Sequence, residues 1–156
     1  MKTLFFLTFL FTFLQFSYSQ SLNLNDLITI HNKESDKEIT TYLKLNNKSW
    51  SFDGFEEFSN TYPKGSYSWS SSNTNFVNLV SKGFTLTGCE VLFMTNNKNT
   101  VKQIMNDIEK NKMNSIDGQA IYMGKNYVIS IVYDTKDADI LFIIRLMTKE
   151  FYYNNN

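Results

Sequence analysis

Apolar residues crowd positions 4–14, LFFLTFLFTFL, directly behind Met1-Lys2, and the block closes on Ser17-Tyr18-Ser19-Gln20. A basic start, an apolar stretch of about 7–15 residues and small residues three and one before a cut make up a secretory leader. The pattern predicts cleavage after Ser19, with residues 1–19 removed and residues 20–156 kept as a single α+β domain. The rival is a retained anchor, but crossing a bilayer takes about 20 apolar residues, and Gln15 and Ser17 interrupt this block first. No cysteine follows the block, so a leader of the type acylated on a Cys at its cut is excluded. The expected location is secreted or periplasmic, with no stable membrane insertion after cleavage.

Beyond residue 21 the apolar spacing is that of amphipathic helices. Leu24, Leu27, Ile28 and His31 fall at i, i+3, i+4 and i+7, predicting a helix over 22–32 with start signals at Asn25-Asp26. Ser35 with Glu38 three residues on forms a capping box, and Ile39, Tyr42 and Leu43 give the next buried stripe. Asn46-Asn47 suit the left-handed turn that ends a helix. The strongest helix is expected over 100–112, with Thr100 as cap, Gln103 in the box position and a stripe of Val101, Ile104, Met105 and Ile108.

Between these helices the period falls to two. Trp50 and Phe52 alternate with polar neighbours, and Tyr67 and Trp69 alternate with serines, so the Trp residues and Tyr67 are expected in the core. Strands are predicted over 76–80 and 84–94, joined at Ser81-Lys82-Gly83, with a β-bulge at Gly88 where the apolar parity slips. After the last helix come 119–123, a tight turn at Gly124-Lys125-Asn126, 127–134 and 140–148. The order is helices, strands, helix, three strands. Short connections imply an antiparallel sheet with helices packed on one face, and the two halves are candidates for a degenerate duplication of a helix-plus-β-meander unit.

Charge and cysteine narrow the function classes. Fifteen basic and fifteen acidic residues cancel, so no net field draws nucleic acid or an anionic membrane. Cys89 is the only cysteine, so no internal disulfide can form and packing must carry stability.

The runs Asp26-Leu27-Ile28, Ile39-Thr40-Thr41-Tyr42-Leu43, Trp50-Ser51-Phe52 and Tyr67-Ser68-Trp69, with the Ser17–Gln20 cut, resemble small exported proteins of the Bacteroidota that carry no assigned activity. In outline the chain is also similar to the helix-then-meander domains of β-lactamase-inhibitor and outer-membrane-assembly accessory proteins. These likenesses imply export and an α+β sheet domain. As fold-level likenesses they transfer no residue roles.

Candidate chemistry is sparse. His31 is the sole histidine and lacks the HExxH spacing that sets two imidazoles on one helix face; the expectation is a helix-end residue satisfied locally. Cys89 lies among strand residues and is expected to fill core space, although it and His31 are the right types for a thiol dyad. The acidic pairs Glu56-Glu57 and Asp137/Asp139 are read as solvated loop charge, and Asn47-Lys48-Ser49 matches a glycosylation acceptor that matters only in a eukaryotic route. No catalytic residue, metal site or cofactor is assigned. The segment 53–64 is read as a loop whose Phe55, Phe58 and Tyr62 are the only binding candidates, with folding back onto the sheet edge as the favoured alternative. The expected function is a non-enzymatic binding module for an unknown protein or envelope component. The rival is an exported hydrolase whose thiol or paired carboxylates converge only in three dimensions.

Overall fold

The computed structural model describes residues 22–46, 49–71, 76–116, 118–135 and 140–155. The leader with its cut, Asn47, Asp137, Asp139 and Asn156 lie outside them.

Helix α1 spans Leu24–Asn32. Its cap is Asn23, whose side chain accepts from the Asp26 N–H at 3.0 Å while the Asp26 carboxylate accepts from the Asn23 N–H at 2.7 Å. Asp26 therefore sits inside the first turn as the second half of a capping box, not at the start. Helix α2, Asp36–Asn46, begins with the expected box: Ser35 Oγ accepts from Glu38 N–H at 3.3 Å, and Glu38 returns a carboxylate to Ser35 N–H at 3.4 Å. Tyr42 Oη donates to Asp26 Oδ1 at 2.6 Å and ties α2 to α1. Helix α3, Lys98–Lys110, starts earlier than its stripe suggested. Asn97 caps it by accepting from the N–H groups of Asn99 and Thr100, and Thr100 is buried in the first turn. A fourth helix, α4 (Lys149–Asn155), which the sequence pattern did not predict, follows the last strand; Asn155 Nδ2 donates to Thr87 Oγ1 at 3.0 Å.

The strands are β1 (Trp50–Glu56), β2 (Ser66–Ser71), β3 (Asn78–Phe84), β4 (Cys89–Thr95), β5 (Asn114–Ser115), β6 (Ile121–Met123), β7 (Tyr127–Asp134) and β8 (Leu141–Thr148). They form one antiparallel sheet in the order β1-β2-β3-β4-β8-β7-β6-β5. The protein is thus α+β, built from two helix-led four-stranded meanders joined where β4 pairs with β8. The hairpin at Gly124 forms as expected, with Gly124 N–H donating to the Tyr127 carbonyl at 2.9 Å.

Other boundaries also differ from the sequence pattern, and four strands rather than three follow α3, because the two-residue β5 pairs with β6. Strand β3 runs straight through Ser81-Lys82-Gly83, and the chain turns instead over 85–88, where Thr85 N–H donates to the Gly88 carbonyl at 2.8 Å. Gly83 is a clearance, not a turn: a Cβ there would stand 2.2 Å from the ring of Tyr62. Strand β1 continues to Glu56, because register shifts between Phe52 and Gly54 and leaves Asp53 as a bulge.

Register aligns Trp69, Val80, Phe93, Ile144 and Ile131 across five strands on one face. Helices α1 to α3 bury Leu27, Ile30, Ile39, Leu43 and Ile104 against that face. Full burial of such side chains contributes about 1.5–3 kcal/mol each. Trp50 and Trp69 are buried as expected, and Trp69 Nε1 donates to Thr40 Oγ1 of α2 at 2.9 Å. The one-face arrangement holds for these three helices only. Phe151 of α4 packs with Val128 and Met147, whose parity places them on the opposite face. Among the described residues, no helix is long and apolar enough to cross a membrane.

Candidate functional site

The segment carrying Phe55, Phe58 and Tyr62 divides in three. Phe55 belongs to β1. In a regular strand Phe52 and Phe55, three residues apart, would face opposite sides. The Asp53 bulge resets the parity, so Phe52 pairs with Trp69 and Phe55 with Tyr67, both of which face the helices. The Phe52 ring lies 5.4 Å from Trp69 and 6.2 Å from Tyr67, and the Phe55 ring lies 4.9 Å from Tyr67. Tyr67 leans edge-on against Phe84 at 5.5 Å. Phe55 also fills the notch left by the missing side chain of Gly65, where a Cβ would meet its ring at 2.4 Å. Phe52 and Phe55 remain 38% and 47% exposed, and Phe58, on the loop beyond, is 66% exposed. The outcome is an aromatic ledge fixed from beneath at the edge of the sheet.

Tyr62 behaves differently. It folds over the face opposite the helices, lies on Gly83 and is 8% exposed. Its hydroxyl donates to Glu90 Oε1 at 2.7 Å, while Arg145 holds Glu90 Oε2 through Nε at 2.9 Å and a second nitrogen at 2.8 Å. Burial, then the bond and charge of Glu90, push the Tyr62 pKa well above the usual tyrosine value. Tyr62 is a buried clasp, so it leaves the set of exposed binding candidates.

Cys89 and His31 come together although 58 residues separate them. The end of α1 sets the imidazole against the start of β4, with Cys89 Sγ 3.5 Å and the Cys89 carbonyl oxygen 3.2 Å from His31 Nε2. These contacts make opposite demands. Nε2 must carry a proton to bond the carbonyl, and must present a lone pair to take a proton from the thiol. The carbonyl is nearer and the stronger acceptor, so the tautomer inferred from these neighbours clasps the backbone and leaves no base facing the sulfur. Burial holds the His31 pKa below the usual histidine value, against hydrogen bonds from Asn32 and Cys89. Burial likewise raises the Cys89 thiol, only partly opposed by the charge of Lys82. A nucleophilic pair requires a lowered thiol pKa. Cys89 is half-buried beside a histidine, and neither the isolated filler nor the locally satisfied helix end foreseen from sequence describes the pair fully.

Lys82, expected in a turn, is instead buried on the helix face of β3. Its ammonium donates to the carbonyls of Ile30 (3.4 Å), His31 (2.7 Å) and Lys33, capping the C-terminal end of α1. A lysine in a strand reads as solvent-facing; only the side on which Val80 is buried, two residues earlier, signals otherwise. Among the described residues, no three His, Cys, Asp or Glu side chains gather in a way that would hold a metal ion. Glu56 and Glu57 are exposed, and the buried Glu90 faces an arginine rather than a second carboxylate. The chain matches no protein-family model, no curated protein and no solved structure.

Proposed function

We propose that this chain is an exported, non-enzymatic binding module, and that Phe52 and Phe55, with Phe58 beside them, form its recognition surface. The observation that carries the reading is the aromatic ledge: exposed rings on a rigid strand, backed by Tyr67 and Trp69. Aromatic side chains contribute large contact area at low cost in conformational entropy and dominate binding energy at protein interfaces. Export rests on the leader pattern of residues 1–19.

The test is a pull-down from the native envelope fraction with wild type and with a Phe52→Ser/Phe55→Ser/Phe58→Ser variant, each checked by thermal unfolding. A partner held by wild type and lost by a folded variant supports the ledge. A partner kept by that variant and lost on Met94→Lys, on the opposite face, overturns it.

The rival thiol hydrolase draws on the 3.5 Å separation of Cys89 Sγ and His31 Nε2. It requires Cys89 to alkylate faster in the folded chain than a free thiol does. Slow alkylation that accelerates on denaturation removes it.

A further inference from the structure

Strand β1 ends the sheet, and among the described residues nothing pairs with its outer edge. An edge strand offers a row of unpaired N–H and C=O groups to any extended chain that fits beside it. The two faces of this edge differ in chemistry. Phe52 and Phe55 point to the helix side, as their partners Trp69 and Tyr67 do. On the other side Glu56 pairs with Ser66, and the bulged Asp53 accepts from Ser70 Oγ at 2.8 Å. Both serines lie on the face opposite the helices. One flank of the edge is therefore aromatic and the other acidic. Among the described residues neither Asp53 nor Glu56 is in an ion pair, and no basic residue occurs between Ser49 and Pro63.

Resting on the binding-module reading above, we infer that the partner presents an extended segment in which apolar and basic residues alternate, and that it adds to β1 as a ninth strand. Side chains of a strand alternate between faces, so such a segment sets its apolar residues against Phe52 and Phe55 and its cations against Asp53 and Glu56. The same charges reject a second copy of this chain, since antiparallel self-pairing of β1 brings carboxylates against carboxylates. The bulge and the acids thus blunt the edge towards its own kind while leaving it open to a basic strand.

The probe is acetyl-Thr-Val-Lys-Val-Lys-Val-Thr-amide, titrated into the isotope-labelled chain with the backbone amides of residues 51–56 as readout. The expected result is saturable movement of those amides, and affinity weakened roughly fivefold or more by Asp53→Asn/Glu56→Gln. The peptide with Glu in place of Lys, and the peptide N-methylated at alternate residues, are expected not to bind. Equal binding of either control, or no movement of the β1 amides, overturns strand addition. Loss of the envelope partner in the Phe52/Phe55/Phe58 variant while the probe leaves β1 unmoved overturns strand addition and leaves the ledge standing. Retention of the partner in that variant is failure of the ledge itself.

Discussion

The Tyr62 hydroxyl reaches across the open face of the sheet to Glu90 and closes on Oε1 at 2.7 Å, the one carboxylate oxygen that Arg145 leaves free. This bond pins the segment between β1 and β2 to the centre of the sheet. Removing one partner of a buried carboxylate costs about 1–3 kcal/mol. Tyr62→Phe should lose stability in that range by urea denaturation, with the ring still seated on Gly83. A neutral result would show that Arg145 alone satisfies Glu90.

The same bond predicts a pH dependence. The folded pKa of Tyr62 is raised, so its stabilising effect is intact below the unfolded value near 10. Above that pH the unfolded chain releases the proton while the folded chain keeps it, and stability falls as pH rises. The urea midpoint of wild type should therefore drop more steeply above pH 10 than that of Tyr62→Phe. Parallel curves would contradict the clasp.

His31 titrates with the opposite slope. Its folded pKa is depressed, so below about pH 6.5 the unfolded chain takes up a proton that the folded chain refuses. Stability should decline as pH falls through this region, and His31→Gln should flatten the decline. If the wild type and His31→Gln profiles coincide, the imidazole is not held neutral against Cys89.

Gly83 and Tyr62 form a single fitted unit. Gly83→Ala drives a methyl into the ring and should cost about 1–3 kcal/mol, the usual penalty of overpacking. In a Tyr62→Ala background that penalty should largely vanish. Additive losses in the double variant would mean that the two residues do not touch in solution.

Trp69 is the widest brace under the ledge, buried completely and bonded to Thr40. Trp69→Ala should cost about 3–5 kcal/mol. Phe58→Ser, on an exposed loop position, should change stability by less than about 0.5 kcal/mol. Similar melting temperatures for the two variants would refute the division between brace and surface.

Much of the architecture was legible because it is local. Ser35 and Glu38 announce α2 by their spacing, the Gly124 turn announces its hairpin, and the period of two identifies Trp69 as core. What escaped depends on contacts distant in sequence. Gly83 looks like a turn residue until Tyr62, 21 positions earlier, is seen resting on it. Asp53 gives no sign of being a bulge, so Phe55 reads as loop and its place beside Phe52 is lost. His31 and Cys89 carry no mark of each other, and their approach emerges only when α1 packs across β4. The division of Phe55 from Tyr62 is likewise invisible in sequence, since both are aromatics in one polar segment.

Strand β8 lies at the middle of the sheet yet is the last strand to be made. A chain emerging during synthesis therefore carries β4 with a bare edge until residues 141–148 appear, and the two meanders have no seam along which to join. Pairing so remote in sequence slows folding relative to local hairpins, because the loop entropy is lost before the contacts form. Nearly the whole polypeptide must be synthesised before the fold can lock. Until then the first meander can form only by itself, and the seam that unites the sheet is the last part of it laid down.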